Sequence, residues 1–481
     1  MTTSEVATAN VVIVEWDDLM LVQKHPLQHE NKIDVRVAEK KKLIQDAIDQ
    51  SYSSSHGIGI MAIRGVPNFV SYKDLFLIQA HALATKFTEE YLETHLTDKS
   101  SLYNAGWSYG KEQLGQNKPP DTSKGSFYYN PVTDIPGTEQ DRKQYPCSYP
   151  CNVWPPVDSD NDALLPNFQK NAKQMGLLLK DVAVEIAKHL DVYVQNQLLD
   201  LQEQQQLHEQ AASTIANQHH RIESIYRNLK DTDKVKARLL YYFPLSSKKY
   251  GNNTIRNDNV DDVSEAIPAT EDSWIGWHND SGFLTALAGD VYVNHATGQP
   301  LSSIKDIDPC SGLYVIDRSF MSSGKGHSSS QNIDNVDKAE NHILKVNIPY
   351  DCCAIQIGEC VQIITGGILC ATPHCVRGSS AANIARISLP CFVDTYPSFP
   401  LAPPMGISRQ QVLNADKFSH SKVPPLALRW KQAISSSSFD DNIGIKATTA
   451  VNTMTLGEFL QETFQMYYGW ESGASLVNSE P

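Results

Sequence analysis

Residues 277–287 read Trp277-His278-Asn279-Asp280-Ser281-Gly282-Phe283-Leu284-Thr285-Ala286-Leu287, a histidine and a carboxylate two positions apart ahead of an apolar run. On an extended strand, side chains two apart face the same side, so Trp274, Gly276, His278 and Asp280 would share one face and His278 and Asp280 could hold one ion together. In a chain with 15 histidines a bare His-x-Asp favours a polar turn at a strand end. The distant sequence changes that balance. Residues 368–392, ILCATPHCVRGSSAANIARISLPCF, place His374 on one expected strand and Arg386 and Ser388 on the next. Two histidines and one carboxylate on a triangular face leave the opposite positions of an octahedral iron(II) open. Arg386 and Ser388 are again two apart, and a guanidinium with a hydroxyl beside it can hold a carboxylate. The bland alternative for that arginine is an ion pair with a protein acid.

Outward from these residues the texture is that of short strands. RLLYYFP, SWIGWHND, SGFLTAL, SGLYVID, HILKVNIP, the expected strand pair CCAIQIGECVQIITGG and ARISLPCFVDTY are rich in β-branched and aromatic residues and separated by turn signals. The strand after Asp280 is expected over Phe283 to Leu287. Upstream, Val11–Val14 predicts a strand followed by a helix over 36–50, and GIGIMAIRGVP (57–67) a strand followed by a helix over 71–95. Residues 103–160, rich in Gly, Pro and Tyr, read as loop. Phe168, Met175, Leu179, Val182, Ile186 and Leu190 recur at three- and four-residue steps, the core face of a helix that continues into the polar stretch 201–220. Thr455 and Glu458 are spaced as a capping box that opens a last helix. The polar segments 245–272 and 319–341 read as loops.

Composition narrows the classes. The chain has 481 residues, 41% hydrophobic and 20% charged, with a net charge of −14. No basic stripe suits a phosphate backbone, which argues against nucleic acid as a partner. No segment approaches the roughly 20 apolar residues of a membrane span, and the first residues lack the basic and apolar regions of a secretory signal. Nine cysteines scattered through the chain, with Cys353, Cys360, Cys370 and Cys391 in apolar runs, fit a reducing cytoplasmic setting. Cys147 and Cys151 lack a second pair at zinc-site spacing. His219 and His220, adjacent on a polar helix, point apart, and His295 and His327 fall in polar insertions, so none of the four is expected to bind iron.

The succession Tyr242, His278-x-Asp280, His374, Arg386-x-Ser388 resembles the iron(II)/2-oxoglutarate-dependent dioxygenases, in the isopenicillin N synthase-like branch. NVWPP (152–156), GIGIMAIRGVP, RLLYYFP and MTLGEFLQETF carry the likeness through most of the chain. The resemblance implies an α+β, mainly β fold, a double-stranded β-helix or distorted jelly roll flanked by N-terminal and C-terminal helices. It divides the chain into 1–235, a mixed α/β and helical region packed on the barrel, 236–400, the dioxygenase core, and 401–481, a helical tail. His278, Asp280 and His374 would be the iron ligands; Arg386, Ser388 and Tyr242 would bind 2-oxoglutarate. Dioxygen is the second cosubstrate and ascorbate a candidate reductant. In isopenicillin N synthase the arginine, serine and tyrosine hold the substrate's own carboxylate, so this motif leaves both assignments open.

By position in the family, Trp107, Tyr109, Lys111, Tyr129 and Phe392 are candidates for contact with a small-molecule substrate. Lys111 would suit an acidic one such as an amino acid derivative. The expected reaction is oxidation of an unactivated C–H bond. Cyclisation or desaturation, as in isopenicillin N synthase or the kainoid synthases, is the alternative, and a non-catalytic binding module the second. The stretch from His278 to His374 is longer than is usual in the branch, with the excess in GDVYVNHATGQPLSS and SFMSSGKGHSSSQNIDNVDKAEN.

Overall fold

The computed structural model describes residues 7–24, 35–111, 120–156, 163–209, 223–245, 274–301, 308–318, 343–379, 381–415, 423–431 and 453–468. The expected loops at 245–272 and 319–341, the polar stretch beyond Glu209, His219, His220 and His327 lie outside these residues, save for Leu245. Thirteen strands are present among them. The N-terminal half supplies β1 (Thr8–Ala9), β2 (Val12–Glu15), β3 (Ile60–Arg64), β4 (Gly106–Tyr109) and β5 (Lys124–Tyr129). The remainder are β6 (Val235–Tyr242), β7 (Ile275–His278), β8 (Leu284–Asn294), β9 (Gly312–Ile316), β10 (Ile343–Val346), β11 (Cys352–Ile357), β12 (His374–Arg377) and β13 (Ile384–Val393).

They form two sheets, one of eight strands in the order β2-β3-β11-β8-β13-β6-β5-β4 and one of five in the order β1-β10-β9-β12-β7. Pairing is antiparallel except for β1 with β10 and β2 with β3. The two sheets share a small apolar layer in which Ile60, Leu240, Tyr242 and Ala354 of the larger sheet meet Leu313, Val315, Val346 and Val376 of the smaller. The opposite face of the larger sheet, with Val235, Ala237, Leu239, Tyr241, Ile387 and Cys391, joins the main core under the helix Phe168–Glu209. That helix presents the periodic face expected of it: Phe168, Met175, Leu179, Val182, Ile186 and Leu190 are all buried. The architecture is a mixed α/β one with large sheets.

Several expectations are corrected. The N-terminal region does more than pack on a barrel, because β2, β3, β4 and β5 are integral strands of the eight-stranded sheet. The expected helix over 71–95 is three helices, Phe69–Phe76, Gln79–Thr85 and Glu89–His95, the last starting where the Thr88 side chain accepts from Tyr91 N. CCAIQIGECVQIITGG is one strand followed by a buried helix, Glu359–Ile364, since a short apolar run fits either element. GDVYVN, read as the start of an insertion, belongs to β8. The capping box is present, with Glu458 N donating to Thr455 Oγ1 and Thr455 N donating to Glu458 Oε2, at the start of the helix Leu456–Tyr468. The nine cysteines are all thiols, and Cys353, Cys360, Cys370 and Cys391 are buried. Among the described residues no helix is long and apolar enough to cross a membrane.

Candidate metal centre and its cavity

β7 and β12 run antiparallel in the five-stranded sheet, and their register puts His278 directly opposite His374. The ring centroids are 4.2 Å apart. The Nδ1 of His278 bonds the carbonyl of Gly276 at 2.8 Å, and that of His374 bonds the carbonyl of Thr372 at 3.0 Å. A ring whose Nδ1–H donates to a carbonyl has its Nε2 lone pair available for a cation. Burial, then the facing His374, pushes the His278 imidazole down to about 4, which keeps it in the neutral, ligating form near neutral pH.

β7 ends at His278, so Asp280 lies in the loop beyond it rather than on the strand face expected for it. Backbone bonds fix that loop instead: Glu359 N donates to Asp280 O at 2.8 Å, Cys360 N to Gly282 O at 3.1 Å and Gly358 N to Phe283 O at 2.8 Å. A Cβ on Gly358 would collide with the Gly282 carbonyl, and one on Gly282 with Asp394, so this crossing needs both glycines. Asp280 Oδ2 accepts from Thr285 Oγ1 at 2.6 Å. Its Oδ1 sits 3.9 Å from His374 Nε2. One donor atom from each of His278, Asp280 and His374 falls within 4.8 Å of the others.

Asn279, between His278 and Asp280, is buried and turned the other way, donating to Glu359 Oε1 at 2.9 Å. Glu359 is held in turn by Arg429, at 2.5 and 2.6 Å, and Arg429 reaches Thr463 on the C-terminal helix at 3.2 Å. Sequence reasoning does not reach Glu359, Arg429 or Asn279 in this bridging role, because a lone acidic or basic residue far off in the chain gives no local signal of it.

On β13, Arg386 pairs in register with Tyr242 on β6 and Tyr292 on β8, and Ser388 with Leu240 and Asp290. Arg386, Ser388 and Tyr242 therefore lie together on the inner face of the larger sheet, all buried, with the guanidinium 4.8 Å over the Tyr242 ring. Arg386 Nη2 donates to Asp290 Oδ1 at 2.5 Å, while its Nε and Nη1 are buried with no hydrogen-bond partner among the described residues. Asp290 faces inward because of a bulge. Leu284, Ala286 and Ala288 face the outer core and Leu287 the inner layer, but the register slips between Ser388 and Pro390 and Gly289 takes φ +77°. Beyond that glycine the alternation inverts, so Asp290 and Tyr292 turn inward.

A cavity of about 630 Å³ opens from His278 and Asp280 toward the C-terminal helix. Lys111 and Phe392 line it. Trp107, Tyr109 and Tyr129 do not: Trp107 and Tyr129 are buried in the outer core and Tyr109 packs against it. The reason is strand parity, since their neighbours Ser108 and Tyr128 carry the inward positions of β4 and β5. Lys124, Lys236, Arg238 and Trp277 also line the cavity, contacts that the sequence reading does not anticipate. His295 Nδ1 bonds Tyr241 Oη at 2.8 Å.

No protein-family model matches the chain, and no curated protein matches it. Solved structures do. A protein from Caulobacter crescentus assigned to the 2OG-Fe(II) oxygenase family aligns over 95% of this chain and 100% of its own, at 15% identity and a TM-score of 0.51. A full-length Neurospora crassa protein solved in complex with alpha-KG aligns over 85% and 94%, at 15% identity and a TM-score of 0.47. The first of these likenesses establishes that the chain shares the fold of a 2OG-Fe(II) oxygenase family protein.

Proposed function

We propose that this chain is an iron(II)/2-oxoglutarate-dependent oxygenase acting on a small molecule, and that its two sheets are the walls of a double-stranded β-helix. The observation that carries the reading is the donor set: one ring nitrogen from each of two imidazoles and one carboxylate oxygen within 4.8 Å, each side chain held by a further hydrogen bond. Two nitrogens and one hard oxygen suit non-haem iron(II), and a donor set without a thiolate does not suggest a structural zinc. His278, Asp280 and His374 would hold the iron.

Iron held there would serve to activate dioxygen, which is the oxidant; two of its electrons would come from 2-oxoglutarate, released as succinate and carbon dioxide, and two from the unactivated C–H bond. The protein's own groups do the rest. Arg386 would turn its buried Nε and Nη1, which have no hydrogen-bond partner among the described residues, to the distal carboxylate of 2-oxoglutarate, beside the Ser388 hydroxyl. Burial pushes the Tyr242 phenol up, so it stays a neutral donor at the same place. Phe392 lines the cavity that opens beside His278 and Asp280. Hydroxylation is the outcome we favour. Cyclisation or desaturation is told apart by product mass, since the first adds an oxygen atom and the second removes two hydrogens.

Anaerobic addition of iron(II) and 2-oxoglutarate to the intact protein should produce a weak visible charge-transfer band, and Asp280→Ala should remove it together with succinate formation. A folded protein that gives no band would overturn the assignment. The ion pair to Asp290 favours one second reading, in which Arg386 is only structural; 2-oxoglutarate would then bind Arg386→Met and the unaltered protein equally well.

A further inference from the structure

The cavity carries more positive charge than holding a metal requires. Along β6 the outward residues Val235, Ala237, Leu239 and Tyr241 belong to the outer core, so Lys236, Arg238, Leu240 and Tyr242 face inward. Leu240 and Tyr242 fill the layer between the sheets, whereas Lys236 and Arg238 line the cavity beside His278. Other cations of the lining have acids at hand: Lys124 pairs with Asp121, Lys234 with Asp394 at 2.8 Å and Lys111 with Glu93 at 3.3 Å. Lys236 differs. Its Nζ donates to two neutral acceptors, Asn104 Oδ1 at 2.9 Å and the Cys147 carbonyl at 2.7 Å. An ammonium has three N–H donors, so one remains. Arg238 donates through Nε to Ser126 Oγ at 3.0 Å and lies 4.9 Å over the Tyr128 ring, an arrangement that fixes the plane of the fork. Trp277, Phe392 and Leu460 add apolar surface to the same cavity.

We propose that the substrate is an organic carboxylate with an apolar body, its carboxylate seated by Lys236 and Arg238 and its body against Trp277, Phe392 and Leu460. This rests on the oxygenase reading for its chemistry, though not for its binding. The remaining ammonium N–H of Lys236, with the guanidinium charge of Arg238 beside it, suits the single charge of a carboxylate, whereas a phosphate brings more oxygens and more charge than this one donor serves. Burial, reinforced by Lys234 and Arg238, lowers Lys236 to about 8, the state of a cation that lacks its anion.

The test uses the full chain, with and without anaerobic iron(II) and 2-oxoglutarate, and titration calorimetry with 3-phenylpropanoate, hexanoate, the amide of each, and inorganic phosphate. Each acid should bind at least about tenfold more tightly than its amide, the effect of a charge-assisted contact. Lys236→Met and Arg238→Gln, checked for native circular dichroism, should each erase that preference and leave the affinity for 2-oxoglutarate in place. An acid that binds no better than its amide in the unaltered protein overturns the proposal, as does tighter binding of phosphate. Loss of 2-oxoglutarate affinity in both variants also overturns it, because the two cations would then serve the cosubstrate. A preference for acids without any charge-transfer band would sustain the carboxylate site and refute the oxygenase reading; a band without the preference would do the reverse.

Discussion

Replacing Arg429 by Met should loosen both the fold and the metal centre. Glu359 and Arg429 face each other through two contacts of 2.5 and 2.6 Å, and their side chains are 1% and 0% exposed. Without the arginine, the Glu359 carboxylate keeps Asn279 Nδ2 as its partner and no counter-charge. Removing one member of a buried pair costs about 3–5 kcal/mol, because the charge left behind has been taken out of water. Urea unfolding of the metal-free protein should show that loss. The same carboxylate steadies Asn279, and the Glu359 backbone steadies Asp280. Iron(II) affinity, measured against a competing chelator, should therefore fall about tenfold or more, as for other outer-shell changes. The double variant Glu359→Met/Arg429→Met should recover much of the stability, since an apolar pair of similar volume needs no counter-charge. It should not recover the iron affinity, because the Glu359 change takes away the acceptor that Asn279 keeps in the single variant. A single variant that costs under about 1 kcal/mol, or a double variant with normal iron affinity, would refute this reasoning.

Thr285→Val removes the hydroxyl that holds Asp280 Oδ2 at 2.6 Å, and iron(II) affinity should drop about 10–100-fold by the same chelator assay; an unchanged value would mean that Asp280 is oriented by other means. Asp290→Asn removes the carboxylate that competes for Arg386, so 2-oxoglutarate should bind more tightly by calorimetry, and weaker binding would show that Asp290 orients the guanidinium instead. Lys236 sits at about 8, lowered by burial and by Lys234 and Arg238 against the opposing pull of Cys147 and Asp394. Its charge is present below that value and lost above it. Affinity for 3-phenylpropanoate should therefore decline as pH rises through about 8, and Lys236→Met should show no such decline.

What the sequence makes legible follows from how local each signal is. The long helix is readable because its apolar face repeats at helical spacing over residues 168–190. The C-terminal helix is readable because a capping box is two residues three apart. β4 and β5 are not. Every residue of β5 is buried, so KGSFYY shows no alternation of exposed and covered positions, and its glycine and lysine look like loop residues until Trp107 is seen stacked where a side chain on Gly125 would lie. ECVQII carries a strand's composition, but its glutamate is spent on Arg429, more than sixty residues on and invisible to any local pattern.

At the site, the grouping of His278, Asp280 and His374 is legible because each residue type is chemically demanding and the resemblance supplies the partner across the gap. Contacts with a substrate are not, since a strand offers two faces and large aromatics suggest the inner one. In β4 and β5 the aromatic bulk of Trp107, Phe127 and Tyr129 goes outward, into the core beneath the long helix, and Ser108, Ser126 and Lys124 are left to face inward with Tyr128. The alternation Val235-Lys236-Ala237-Arg238 in a strand that turns wholly apolar at Leu239 is the available clue. Charges that alternate with small apolar residues inside a sheet must face a space that can solvate or neutralise them. In β6 that space begins beside His278 and Asp280, so under the proposed function the first half of the strand would serve the substrate and the second half, through Tyr242 and Arg386, the cosubstrate.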